Sequence, residues 1–192
     1  GWMISEEKFM GFSKKWLDML KIRASYGEIG DDNVTDRWLY LSQWGVGGGT
    51  NGATPMALNQ AISPYTWYRE TTVGNPDIHW ETVKKFNLGI DYSFLNGLFA
   101  GTVEVFRDKR TDVIVTSDKR AVPFYFGMDA PAANLGKVKT HGYELELRVN
   151  KVFANEMRLW GNFNMTHAVN EIIQRDDPLL QPAYQKEAGF SI

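Results

Sequence analysis

Five stretches of the chain alternate apolar and polar residues with a period of two, the spacing of a strand whose two faces meet unlike surroundings. The clearest is VKKFNLGIDYSF over residues 83–94, where Phe86, Leu88, Ile90, Tyr92 and Phe94 alternate with Lys85, Asn87, Gly89, Asp91 and Ser93. LKIRASYG sets Leu20, Ile22, Ala24 and Tyr26 against Lys21, Arg23 and Ser25, and LFAGTVEVF sets Phe99, Gly101, Val103 and Val105 against Ala100, Thr102 and Glu104. In GYELELRVN the apolar set is Tyr143, Leu145, Leu147 and Val149, and in RLWGNFNMT it is Leu159, Gly161, Phe163 and Met165. Trp160 breaks the polarity of the last stretch without breaking its phase.

The connections sort into two kinds. Asn96-Gly97 separates the second and third stretches, and this dipeptide suits a two-residue type I′ hairpin because both central positions need positive φ. Counting outward from it predicts Phe94 opposite Phe99, Tyr92 opposite Gly101, Ile90 opposite Val103 and Leu88 opposite Val105, so apolar faces coincide. The same count places Asp91 opposite Thr102 and Lys85 opposite Asp108, and lays the Tyr92 ring over the glycine at 101. The fourth and fifth stretches are joined by the short segment 151–156. Residues 30–79 and 117–137 are long and rich in Gly, Pro, Asn and Asp, well beyond a usual connection.

Short turns and long loops thus alternate, the arrangement of an outer-membrane barrel. Aromatic residues fall at both ends of the apolar face: Trp16, Phe94 and Phe99 at the short-turn end, Tyr26, Trp80 and Tyr143 at the long-loop end, as in the two girdles of such a barrel. The reading is all-β, a segment of an antiparallel transmembrane β-barrel of about five strands with long extracellular loops. Leu20, Ile22, Phe86, Leu88, Ile90, Tyr92, Val103, Val105, Leu145, Leu147 and Phe163 would face lipid. Because the smallest membrane barrels have about eight strands, the chain is expected to be part of a longer polypeptide, with GWMI at 1–4 the tail of a preceding strand. The alternative is a soluble carbohydrate-binding β-sandwich, in which the same apolar residues would cover a packed core.

Composition narrows the chemistry. The 192 residues carry 21 Lys and Arg against 23 Asp and Glu, which leaves no basic field for nucleic acid. Without cysteine there is no disulfide, thiolate metal site or cysteine nucleophile. No run reaches the roughly 18 apolar residues of a spanning helix, and the mean hydropathy of −0.35 is uninformative for strands, which span by alternation. No secretory signal is read at GWMISEEKF.

Gly47–Gly52, GGGTNG, satisfies GxGxxG and precedes ATPMALNQAI, but YLSQWGV is not the buried strand that a dinucleotide site requires, so a loop tip is expected. Asp31, Asp32, Asn33 and Asp36 could offer oxygens to calcium but lack the glycine and final glutamate of an EF-hand, which favours a solvated turn. His79, His141 and His167 lack partners at metal-ligand spacing and are expected on the rim or in the lumen. Glu144 and Glu146 share a face and could act as an acid–base pair, though pairing with Arg148 or Arg158 is simpler. No GxSxG, HExxH or P-loop pattern is present, so no enzyme, metal or cofactor is expected. Trp38, Tyr40, Trp44, Tyr65, Trp67 and Tyr68 crowd the first long loop and are candidates for stacking on a ligand, or for packing against neighbouring loops or a lid protein.

The blocks GWMISEEKF, WLDMLKIRASYGEIGDD, NPDIHWETVKKFNLGIDYSFLNG, VEVFRDKRTDVI, FGMDAPAANLGKVKTHGYELEL and NFNMTHAVNEII, in that order, resemble the C-terminal barrel of SusC/RagA-type TonB-linked outer-membrane proteins. The resemblance implies that residues 1–192 belong to the barrel of a larger 22-stranded transporter in the outer membrane of a Gram-negative bacterium. It also implies import of oligosaccharides or peptides, a SusD-like surface lipoprotein as lid, and coupling to the TonB complex through a plug and TonB box that are not read in this chain.

Overall fold

A computed structural model describes residues 1–32, 37–47, 67–123, 125, 127–178 and 180–191. Its strands are β1 (Trp2–Met3), β2 (Leu17–Asp31), β3 (Gln43–Gly47), β4 (Trp67–Thr72), β5 (Glu81–Phe94), β6 (Phe99–Val115), β7 (Ala133–Val152) and β8 (Arg158–Gln174). Six of them form one antiparallel sheet in the order β1-β2-β5-β6-β7-β8, and β3 pairs with β4 apart from it. Each neighbour in the large sheet is the next of its strands in the chain, the meander that short hairpins and long return loops produce.

All four predicted apolar pairs are present: Phe94 with Phe99, Tyr92 with Gly101, Ile90 with Val103 and Leu88 with Val105. Leu95, Asn96 and Gly97 hold φ of 55°, 57° and 75°, and the Leu98 N–H donates to the Leu95 carbonyl at 3.3 Å, so the two central residues have the positive φ that a type I′ turn requires. The β7–β8 hairpin closes differently. Phe153 donates its N–H to the Met157 carbonyl at 2.8 Å and Glu156 takes φ of 64°, a three-residue loop ending in a left-handed residue.

The register joins these pairs into continuous rows. Ile22, Ile90, Val103, Leu145 and Met165 lie abreast across the strands, with Leu20, Tyr92, Gly101, Leu147 and Phe163 one step toward the short turns and Ala24, Leu88, Val105, Tyr143 and His167 one step toward the loops. At Gly101 a side chain would collide with the Glu146 carbonyl and with the Tyr92 ring lying over the position. Trp16 stacks on Phe94 at 5.8 Å and Tyr92 packs on Phe94 at 5.5 Å, which builds the aromatic rim at the short-turn end.

No second sheet covers the apolar face among the described residues. The buried apolar residues are Leu17, Val83, Val115, Ala130, Ala132 and Ile172; apart from Leu17 they lie at the loop end, where loop segments close over the strands. Mid-sheet residues such as Ile90 and Val103 are 39% and 38% exposed. A β-sandwich buries these positions between sheets, and the described residues supply no partner layer for that.

The strands outrun the alternating stretches. β6 continues to Val115 and β8 to Gln174, and β7 begins at Ala133, well before the alternation at Gly142. The extensions lie at the loop end and carry charge on both faces. Within GWMI, Trp2–Met3 form β1, paired with Ile22 and Lys21. The pairing of β3 with β4 leaves no signal in the sequence, since QWGVG and WYRETT are short and contain no clean alternation.

Side chains and backbone groups anchor the long loops to the sheet. Asn134 Nδ2 donates to the carbonyls of His79 at 2.8 Å and Asp112 at 2.7 Å, and Asn75 Nδ2 donates to the Ala132 carbonyl at 2.9 Å. Arg120 donates to Asp176 Oδ2 and to the Pro131 carbonyl, both at 2.6 Å, while the Ala121 N–H reaches the same Asp176 oxygen at 3.0 Å. Partial burial works to raise the Asp176 carboxyl, but the hydrogen bonds from Arg120 and Ala121 and the guanidinium charge outweigh it and hold it below the usual carboxylate range.

Two outcomes follow from this packing. Replacing Gly101 by Ala is expected to cost about 1–3 kcal/mol, the range for overpacking a filled position, and to lower the temperature at which the folded gel band of the full-length protein converts to the unfolded one. Because the Asp176 value is depressed in the folded chain, its stabilisation is present above the unfolded value near 3.9 and fades as pH falls through the folded one. Hydrogen-exchange protection over residues 116–132, taken relative to the intrinsic rate at each pH, should therefore fall on acidification below about pH 4, and Asp176→Asn should produce that loss already at neutral pH.

Candidate functional site

The polar face of the sheet is a wall of paired charges. Arg23 reaches Asp91 at 3.2 Å and Glu104 at 2.7 Å, and the Thr102 hydroxyl donates to Asp91 at 3.1 Å. Further toward the loops Lys85 pairs with Asp108 at 3.8 Å, and Arg110 with Asp31 and Glu81, each at 3.6 Å. The predicted meetings of Asp91 with Thr102 and of Lys85 with Asp108 are both present. Glu146 pairs with Arg148 at 2.6 Å; Arg158 instead donates to Asn150 at 2.9 Å, and Glu144 stands opposite Glu104 in the register. A wall whose ions neutralise one another suits a water-filled interior.

Above this wall β3 and β4 form a hairpin with Trp44 opposite Glu70 and Val46 opposite Tyr68. Trp44, Val46 and Tyr68 are 67%, 69% and 69% exposed, so the hairpin presents an open aromatic surface. Trp38 and Tyr40 lie near each other with ring centroids 6.1 Å apart, both exposed. Of the other aromatic candidates, Trp67 pairs through its backbone with Gly47, and Tyr65 lies outside the described residues, as does most of the glycine-rich stretch 47–52.

The same hairpin borders a cleft of 780 Å³ shared with the loop after β6, lined by Arg69, Thr71, Asp118, Arg120 and Asp129 among others. The hydroxyl of Thr116 donates to Asp118 and holds its carboxyl below the ordinary range, with a smaller opposing effect of burial. Both charge signs and several hydroxyl and backbone donors therefore meet there, a surface able to hydrogen-bond a polar ligand. None of the aromatic candidates lines it. The sequence signal for this cleft is faint: RETT and SDKR are short polar runs within stretches that read as loop.

Among the described residues no group of three or more His, Asp and Glu is placed to share an ion. Asp31 is engaged by Arg110, and Asn33 and Asp36 lie outside the described residues. His79 sits 3.9 Å from Asp112, His167 packs on Tyr143 at 5.3 Å, and His141 aligns with Arg107 on the outward face. The last two stand on the apolar side of the rim rather than in the lumen.

The family described as TonB dependent receptor-like, beta-barrel matches residues 12–186. Among curated relatives, TonB-dependent receptor P39 of Formosa agariphila is 28% identical over 92% of this chain and 15% of its own length. TonB-dependent receptor SusC of Bacteroides thetaiotaomicron is 27% identical over 90% of this chain and 16% of its own length. The chain thus spans about one sixth of the relatives it matches. A solved structure of the RagAB peptide transporter superposes with a TM-score of 0.72 at 21% identity, covering 98% of this chain and 20% of that one, which shows a shared fold. With a family match over nearly its whole length and a single open sheet of the same architecture, the chain belongs to the TonB-dependent receptor-like β-barrel family and supplies adjacent antiparallel strands of its wall.

Proposed function

We propose that this chain is wall and extracellular loop of a TonB-dependent importer in the outer membrane of a Gram-negative bacterium. One observation carries the reading: a single-layer sheet with continuous apolar rows on one face and mutually paired ions on the other, in a chain of this family. The rows from Phe94 to Phe86 cover eight residues, about 27 Å along the strand, or about 20 Å once tilted as barrel strands are. With the flanking aromatic rims this matches an apolar band of about 25 Å.

The cargo is an oligosaccharide or a peptide, and the partners are a SusD-like lipoprotein that closes over the loops and the TonB complex, engaged through a plug outside residues 1–192. Support for the cargo class comes from the likeness to a SusC receptor and to a peptide transporter. In this reading the exposed hairpin residues Trp44 and Tyr68, with Trp38 and Tyr40, meet the lid or the cargo, and the charged cleft beside them contributes hydrogen bonds. The apolar set from Leu20 and Ile22 through Phe163 meets lipid.

Peptide mapping of a native outer-membrane fraction tests the placement: these residues should fall in a large, heat-modifiable band, and recovery only from the soluble fraction would sink it. Depth provides a second test. Ile90→Arg, in the middle row, should destabilise the folded barrel by about 2–4 kcal/mol, whereas Phe94→Arg at the rim should cost about 1 kcal/mol or less, both read by denaturant unfolding of the full-length protein in lipid vesicles. Equal large losses would mean that both positions are packed against protein.

A further inference from the structure

Past the last apolar row, the outward face of the sheet turns cationic. Lys84 lies opposite Lys109, and Lys109 lies opposite Lys139, three like charges abreast on adjacent strands. One row nearer the membrane centre, Arg107 lies between Phe86 and His141. Glu28 and Glu171 flank the lysine row at its two ends, and Lys84 reaches Glu28 at 3.5 Å.

Directly opposed like charges destabilise a sheet; on the inward face Glu104 stands opposite Glu144, but Arg23 holds Glu104 in an ion pair. There Lys85 is matched with Asp108 and Arg110 with Asp31 and Glu81. Within the run FRDKR, Asp108 and Arg110 point inward and are neutralised, while Arg107 and Lys109 point outward and form no ion pair among the described residues, nor does Lys139. Only the outward face meets the lipid leaflet.

Depth identifies the counter-charge. Lys84 lies ten residues from Phe94 on β5, about 34 Å along the strand and about 26 Å once tilted by about 40°. The row of lysines thus stands one apolar-band height above the aromatic rim of the short-turn end, at the outer hydrocarbon boundary, where the phosphates of lipid headgroups lie. We propose that Lys84, Lys109 and Lys139, with Arg107 below them, bind the phosphate of an outer-leaflet glycolipid of the lipid A type. Charge-assisted hydrogen bonds to phosphate relieve the repulsion along the row, and the lipid becomes a fixed part of the wall beside β5, β6 and β7. The inference rests on the membrane placement proposed above.

The test uses the full-length protein in phosphatidylcholine nanodiscs doped with lipid A or with enzymatically dephosphorylated lipid A, and native mass spectrometry counts the lipid retained. Wild-type protein should retain lipid A at least about tenfold over the dephosphorylated form, since each basic residue adds a substantial increment of attraction to anionic lipid. Changing all three lysines together (Lys84→Gln, Lys109→Gln, Lys139→Gln) should abolish that preference, and the corresponding Arg variant should keep it. Equal retention of the two lipids by the wild-type protein overturns the proposal without reference to any variant. So does an undiminished preference in the Gln variant. Failure of the wild-type protein to enter the nanodisc would strike the membrane placement itself, and the inference with it.

Discussion

In hydrocarbon there is no water to satisfy a backbone N–H or C=O, so every such group in a spanning strand must be paired by its neighbours. That constraint organises the chain. It is why the large sheet is antiparallel throughout, why the register runs nearly unbroken from Glu81 to Phe94 and from Phe99 to Arg110, and why irregularities gather at the ends, between Leu17 and Met19 and between Arg110 and Val113. In the large sheet the outer edges of β1 and β8, and of β2 beyond the two residues that β1 covers, leave this pairing open.

Stability in such a sheet is arranged differently from that of a sandwich. With no second layer, the apolar residues contribute by matching the surroundings on one face, and cross-strand contacts on that face add small increments. The polar face is held by the Arg23, Asp91 and Glu104 set and by Lys85 with Asp108. Conventional packing occurs at the loop end, where Val83, Val115, Ala130, Ala132 and Ile172 are buried and the Arg120–Asp176 pair ties the loop after β6 to the segment beyond β8. The canopy is therefore fastened to the wall by polar bonds, so that the hairpin of β3 and β4 is presented from an anchored base.

The same strands divide their charges by destination. Most inward charges are paired within the chain, as an aqueous lumen permits at little cost. Outward charges above the apolar rows are arranged as a surplus of one sign, which is tolerable where something outside the chain supplies the other.

The period-two alternation and one turn dipeptide were enough to read the strands, the hairpin register and the two-faced character of the sheet, because side-chain direction in a strand is set by parity alone. Residue parity likewise placed the apolar rows and the aromatic rims. What lay beyond reach was whatever depends on chain segments meeting through space. The extensions of β6, β7 and β8 beyond their alternating stretches are invisible in a pattern that ends where both faces become polar, although the backbone pairing continues. The β3–β4 hairpin and the charged cleft beside it arise from segments such as Arg69–Thr71 and Asp118–Arg120, far apart in the chain and brought together only by the loops folding back over the sheet. Even the row of lysines is three unrelated positions in sequence. Parity assigns each one a face, but only the register of three strands sets them side by side.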